Sequence, residues 1–189
     1  MGKLGSMFIY SDPHFGHDNT WKLFKRQDGS PLRPFTSSEE MNETIIKNHN
    51  DMVHPYDKVY MLGDIVINKR FLPIIKRLNG HLRLVRGNHD IFSTDLYLQA
   101  GFDEIYGVRV FDDMILSHVP LHPDCVTKRF NVNVHGHEHC NYFDDPRYLC
   151  VSVEQTNYGP LPIETVRARI KKHKEDCEAN GWTGKLILG

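Results

Sequence analysis

The chain has 189 residues, 40% hydrophobic and 25% charged, with a formal net charge of -1. That is enough chain for one domain with a sizeable core, and the balance excludes both a disordered polyampholyte and a strongly basic nucleic-acid binder. The four cysteines (Cys125, Cys140, Cys150, Cys177) form no C-x-x-C pair, which excludes a zinc ribbon or disulfide framework and fits a reducing cytosol. No stretch reads as a signal peptide or a membrane span, so a cytoplasmic protein with no membrane partner is expected.

In chain order, Met7-Phe8-Ile9-Tyr10 reads as a buried strand running into the loop Ser11-Asp12-Pro13-His14-Phe15-Gly16-His17. Asp12 and His14, two apart across a turn, can converge on one cation. Residues 20–34 look irregular. Ser37 and Glu40 form a capping box for a helix over residues 38–52, in which His49 is expected at a surface or interface. Lys58 to Leu62 is a second buried strand, ending in Gly63-Asp64. A short helix over 69–78 can take Pro73 only near its first turn. His81 to Arg86 is a third strand, ending in Gly87-Asn88-His89-Asp90.

The second half is richer in strands. Ser93 to Ala100 is a short helix stopped by Gly101. Residues 104–110 and 114–117 read as strands joined across Phe111-Asp112-Asp113, the second ending at His118. Phe130 to Val134 alternates like a half-buried strand and runs into His135-Gly136-His137-Glu138-His139. There Gly136 lets the backbone turn sharply, so that both flanking imidazoles can face one place. A strand near 148–153 and a helix from about Pro162 follow, with Pro162 suited to the first helical position. The basic run 167–174 reads as that helix's solvated face, and the residues from about Asn180 as a loosely ordered tail. The whole is expected to be a single domain over residues 1–189.

Collected together, Asp12, His14, Asp64, Asn88, His89, His118, His137 and His139 all follow strands. One metal takes about four ligands, so the set exceeds one ion, and a lone aspartate such as Asp64 is the natural bridge between two. Mixed nitrogen and oxygen ligands without thiolate suit Mn, Fe, Zn, Co or Ni.

The ordered blocks Asp12-Pro13-His14, Gly63-Asp64, Gly87-Asn88-His89-Asp90, Ser117-His118 and Gly136-His137-Glu138-His139 resemble the calcineurin-like metallophosphoesterase superfamily, in its short bacterial and phage type. The resemblance implies an α/β (α+β) fold of two mixed β-sheets packed as a sandwich and flanked by helices. The alternating first half and strand-rich second half agree with that. It also implies two divalent ions, Mn²⁺ foremost. Asp12, His14, Asp64 and His139 would bind the first; Asp64 would bridge to the second, completed by Asn88, His118 and His137. His89 would be the general acid and Asp90 would orient it. A hydroxide bridging the two metals would attack the phosphorus. His135 and Glu138 match no ligand position; His17, which has no general ligand role there, could contact substrate or line the mouth, the second being favoured. Lys69, Arg70 and Arg86 could meet a phosphate.

The run Gly63-Asp64-Ile65-Val66-Ile67-Asn68 lacks the aspartate and arginine that protein phosphatases carry after G-D. A phosphodiesterase acting on a small nucleotide-like substrate is therefore expected, with nucleic acid disfavoured. A phosphomonoesterase and a non-catalytic metal-binding scaffold of the same fold remain the alternatives.

Overall fold

A computed structural model of the chain describes residues 5–126 and 129–182. In chain order its strands are β1 (Met7–Tyr10), β2 (Lys58–Met61), β3 (His81–Val85), β4 (Glu104–Tyr106), β5 (Arg109–Phe111), β6 (Met114–Leu116), β7 (Val132–His135), β8 (Tyr148–Cys150) and β9 (Leu161–Pro162). Its α-helices are α1 (Asn19–Lys22), α2 (Ser38–Met52), α3 (Thr94–Ala100) and α4 (Ile163–Ala179).

The short apolar runs of the first half build one sheet in the order β4-β3-β2-β1-β9. The first four strands are parallel and β9 joins β1 antiparallel. Side chains alternate across a strand, and both faces are covered. Phe8, Tyr10, Val59, Met61, Leu82 and Leu84 face a cluster filled by Met41, Ile45 and Ile46 of α2 and Tyr97 of α3. Met7, Ile9, Tyr60, Leu62 and Val85 face the other way, onto Met114, Leu116, Val132 and Val134 of the second sheet and Val166 of α4. That double burial is why β1 and β2 read as continuous apolar runs, whereas β3 keeps His81 and Arg83 among its apolar residues. The second sheet has the order β5-β6-β7-β8, antiparallel at β5–β6 and parallel thereafter. The architecture is thus an α+β sandwich of two mixed sheets flanked by helices, as expected.

The register sets up the site. Tyr10 pairs with Met61 and Met61 with Leu84, so β1, β2 and β3 end level and their loops leave on one edge. Past the strands the first two loops stay hydrogen-bonded: Asp12 N–H donates to Gly63 O (3.1 Å), His14 N–H to Asp64 O (3.0 Å) and Phe15 N–H to Ile65 O (2.9 Å). The sheets meet at the same edge, where Ser11 N–H donates to Val151 O (2.9 Å) and Val153 N–H to Ser11 O (3.0 Å).

Several local expectations need correcting. The strand expected over 104–110 is broken at Gly107-Val108: β4 stays in the first sheet while β5 begins the second. Alternation runs through the break, so periodicity alone does not reveal the crossing. The helix at Lys69–Arg77 is 3₁₀, with Pro73 at its centre; proline cannot donate the i→i−4 bond of an α-helix, and its ring crowds that carbonyl. A short helix, α1, stands in the stretch read as irregular. Ser37 Oγ accepts from Glu40 N–H, but the Glu40 carboxylate turns to Thr36 rather than closing the box. Pro162 caps α4 instead of opening it. His49 is fully buried: its Nε2–H donates to Asn79 O (2.8 Å), leaving Nδ1 to accept from Tyr10 Oη (3.1 Å). Of the loose tail expected from Asn180, residues 183–189 lie outside the described residues, and Trp182 N–H still donates to Cys177 O at 3.0 Å. Among the described residues no helix is long and apolar enough to cross a membrane.

Candidate metal centre

The loops after β1, β2, β3, β6 and β7 bring the candidate residues to one place. Five of them hold left-handed backbone: Asp12 (φ 59°), His14 (48°), Asp64 (55°), His137 (70°) and His139 (51°). Non-glycine residues adopt this region at a cost of order 1–3 kcal/mol each, and such outliers cluster where surroundings force a particular aim. Gly136 does not supply the turn, which falls on His137. A Cβ at Gly136 would lie 2.0 Å from Ser11 Oγ and 2.4 Å from Asp12 Oδ2, so its role is close approach of the two sheets. Gly87 allows a close approach within the first sheet, between the loops after β2 and β3; a Cβ there would lie 2.2 Å from Asp64 Oδ1.

Asp12 is fully buried. Its Oδ2 accepts from Ser152 Oγ (2.7 Å) and His137 N–H (3.0 Å), while Oδ1 is buried with no hydrogen-bond partner. A buried carboxylate oxygen left unpaired is costly, and here it lies 3.8 Å from His14 Nε2. Asp64 Oδ1 accepts from His89 N–H (2.9 Å). Its Oδ2 stands 3.6 Å from His14 Nε2, 3.4 Å from His118 Nε2 and 4.0 Å from His89 Nε2. One oxygen thus faces imidazoles from three blocks.

His118 Nδ1–H donates to Leu62 O (2.7 Å), which fixes the tautomer and leaves Nε2 for the centre. Asn88 Oδ1 lies 2.9 Å from His118 Nε2 and 3.1 Å from His137 Nδ1. His139 Nδ1 bonds Glu154 Oε1 (3.0 Å), leaving its Nε2, and its ring stacks on His14 with centroids 5.4 Å apart.

The electrostatics follow from burying acids and imidazoles together. Burial and the nearby Arg33 charge hold His14 well below the ordinary histidine range. Burial opposes the protonation of His118, but the Asp64 and Asp12 carboxylates outweigh it and push the pKa up to about 9. Burial would raise Asp64, yet the His118 contact brings it below the usual range. Two buried carboxylates are thus drawing positive charge to themselves. Two groups, Asp12 with His14 and His139, and Asp12 with Asp64 and His118, have ligand atoms within 4.8 Å of one another and could hold a metal ion. The unpaired Asp12 Oδ1 and the hard oxygen and imidazole donors fit a divalent cation.

Asp90 is engaged mainly by backbone amides. Its carboxylate accepts from the backbone N–H groups of Asp64 (2.8 Å), Ile65 (3.0 Å) and Gly87 (2.8 Å) and from Tyr97 Oη (3.3 Å). These bonds tie the second and third loops together, and the His89 ring is not among its partners in the described residues. His89 stands at the rim, its side chain 50% exposed. His17 packs beside His14 and Phe24, in keeping with a mouth position. Arg86 is occupied by Asp90 O and Phe92 O, and Arg70 lies over Phe71. His135 is buried behind the turn, with Nδ1–H on Gly136 O.

Two residues escaped the sequence reading: Arg33 and Glu154, joined at 2.7 Å with both side chains 0% exposed. Glu154 follows a strand end, as Asp12 and Asp64 do, and that was its available signal. A cleft of about 850 Å³ opens beside His137 and His139, walled by Phe24, Lys25, Arg26 and Tyr142.

No family model matches the chain. An uncharacterized protein of Methanocaldococcus jannaschii, MJ1445, is 31% identical over 185 residues, covering 90% of this chain and 94% of that protein. Among solved structures, a protein of unknown function from Aquifex aeolicus, AQ665, superimposes with a TM-score of 0.63 at 27% identity, covering 87% of this chain and 98% of that one. The nuclease MPE of Pseudomonas putida aligns at a TM-score of 0.45 and 19% identity, over 70% of this chain and 61% of that one, too loosely to bear on function.

Proposed function

The chain belongs to the family of the Methanocaldococcus jannaschii protein MJ1445, and from its site we propose that it is a metal-dependent phosphoesterase working with two divalent ions, Mn²⁺ foremost. The observation that carries this reading is the convergence on Asp64 Oδ2 of His14 from one ligand set and His118 from another, with His89 alongside. Asp12, His14 and His139 would hold one ion, Asn88, His118 and His137 the other, and Asp64 would be shared. Such ions, when bound, neutralise phosphate charge and supply an activated water.

The chain's own residues do the rest. Asn88 turns Oδ1 toward His118 and His137, so its Nδ2 is the group left to donate to a phosphate oxygen. His89, half exposed at the rim, is free to give its proton to the departing oxygen, a contribution of roughly 10²–10⁴-fold. Asp90 acts through the backbone, holding Asp64 and Gly87 in register.

A small diester is the preferred substrate. In the adjoining cleft Lys25 and Arg26 are balanced by Asp28, Glu138 and Asp144. This offers little to a polyanion or to the second charge of a monoester. Phe24 and Tyr142, 44% and 72% exposed, supply aromatic faces for a nucleotide-like group. The four cysteines are free, which accords with a cytoplasmic setting.

The test is Mn²⁺-supported hydrolysis of bis-p-nitrophenyl phosphate beside p-nitrophenyl phosphate. The diester is expected to be cleaved faster. Cleavage of the monoester alone would overturn the diesterase reading, and inertness toward both with two metals bound would favour a scaffold.

A further inference from the structure

Arg33 and Glu154 sit outside the ligand set, 121 residues apart in sequence, with their side chains fully buried against it. The guanidinium donates through Nε to Glu154 Oε1 (2.7 Å), through Nη1 to Pro13 O (2.8 Å) and through Nη2 to Asp12 O (2.6 Å). The same Glu154 oxygen meets His139 Nδ1 at 3.0 Å. One buried fork thus holds the carbonyl of Asp12 and, through a carboxylate, the ring of His139. We infer that Arg33 and Glu154 are positioning residues that assemble the Asp12–His14–His139 set and reach the Asn88–His118–His137 set only at second hand, through Asp12, whose Oδ2 accepts from His137 N–H.

Three considerations carry this. Asp12 and His139 both occupy left-handed backbone, which persists only where outside bonds hold it, and these bonds are of that kind. A carboxylate on the far nitrogen of an imidazole fixes its tautomer and raises its basicity toward a metal. Charge decides which member matters most. A lone buried guanidinium beside Asp12 would oppose a divalent ion, and Glu154 cancels it. The second set has a support of its own that neither residue touches, the bond from His118 Nδ1–H to Leu62 O.

The inference rests on the two-ion reading above. It is tested by calorimetric Mn²⁺ titration of the full chain, with no turnover involved. The wild-type chain is expected to take up two ions. Glu154→Gln keeps an acceptor for His139 but leaves Arg33 unbalanced, and should weaken one ion roughly 10–100-fold while the other loses far less. Should that variant fail to fold, Arg33→Met with Glu154→Met restores charge balance in a buried pair, a change such sites often tolerate. It still deprives His139 of its acceptor, so the same unequal loss is expected. Two unaltered affinities in these variants, or an equal loss at both sites, would overturn the inference. A wild-type chain that binds no manganese would sink the metal-centre reading itself, and this inference with it.

Discussion

The two sheets contribute unlike chemistry to the same edge. The first sheet's loops bring every candidate oxygen ligand, Asp12, Asp64 and Asn88, together with His14, on parallel strands that end level. The second sheet brings imidazoles only, His118 after β6 and His137 and His139 after β7. Neither sheet holds a complete set, since Asp12 and His14 need His139, and Asp64 needs His118. The site therefore exists only while the sheets are packed face to face, and metal binding should stabilise that packing by mass action.

Substitutions should break the site in graded ways. Asp64→Ala removes the oxygen facing both sheets. It should lower turnover by roughly 10⁴-fold or more, out of the 10⁶ or greater acceleration usual for enzymes, and manganese uptake should fall with it. His89→Ala is milder: both ions should stay, and turnover should drop by roughly 10²–10⁴-fold. Loss of metal in that variant would show that His89 is a ligand. Leu116→Ala empties a buried position between the sheets. It should cost about 2–5 kcal/mol in denaturant unfolding, and excess Mn²⁺ should recover part of that. The same truncation at Leu72, on the helical side of the first sheet, should cost a similar amount but leave metal affinity nearer to wild type. An equal effect on affinity would erase the distinction between the two cores.

The smallest effect concerns His49 of α2, which is not among the candidate ligands. Burial holds its pKa at about 4 against an ordinary 6.5, although the Asn79 carbonyl pulls upward. Between those values the unfolded chain takes the proton and the folded chain does not, so stability rises with pH across that window. The contribution, roughly 3 kcal/mol at most, is complete above 6.5 and lost as pH falls to 4. Unfolding curves of wild type and His49→Gln should therefore converge as pH is lowered through this range, and parallel curves would contradict it.

The first sheet was legible because β1, and β2 beyond Lys58, are buried along their length and because β2 and β3 run into glycines, at Gly63-Asp64 and Gly87-Asn88. Ser37 and Gly101 likewise marked helix ends through local bonds that sequence spacing displays. What stayed hidden depended on distant partners. Nothing near Arg33 announces Glu154, and nothing in a helical stripe separates a buried His49 from an exposed one until Tyr10 and Asn79 are packed on it. Asp90 was visible as a carboxylate beside His89, but its use depends on amides 25 and 26 residues away. The candidate ligands were legible as strand-end residues; the frame that aims them was not.

A site for two ions shared between the sheets is open to anomalous diffraction at the manganese edge, from crystals grown with Mn²⁺. Two peaks about 3.5–4 Å apart are predicted, one against Asp12, His14 and His139 and one against Asn88, His118 and His137, with Asp64 between. A single peak, or a pair served by one sheet alone, would contradict it.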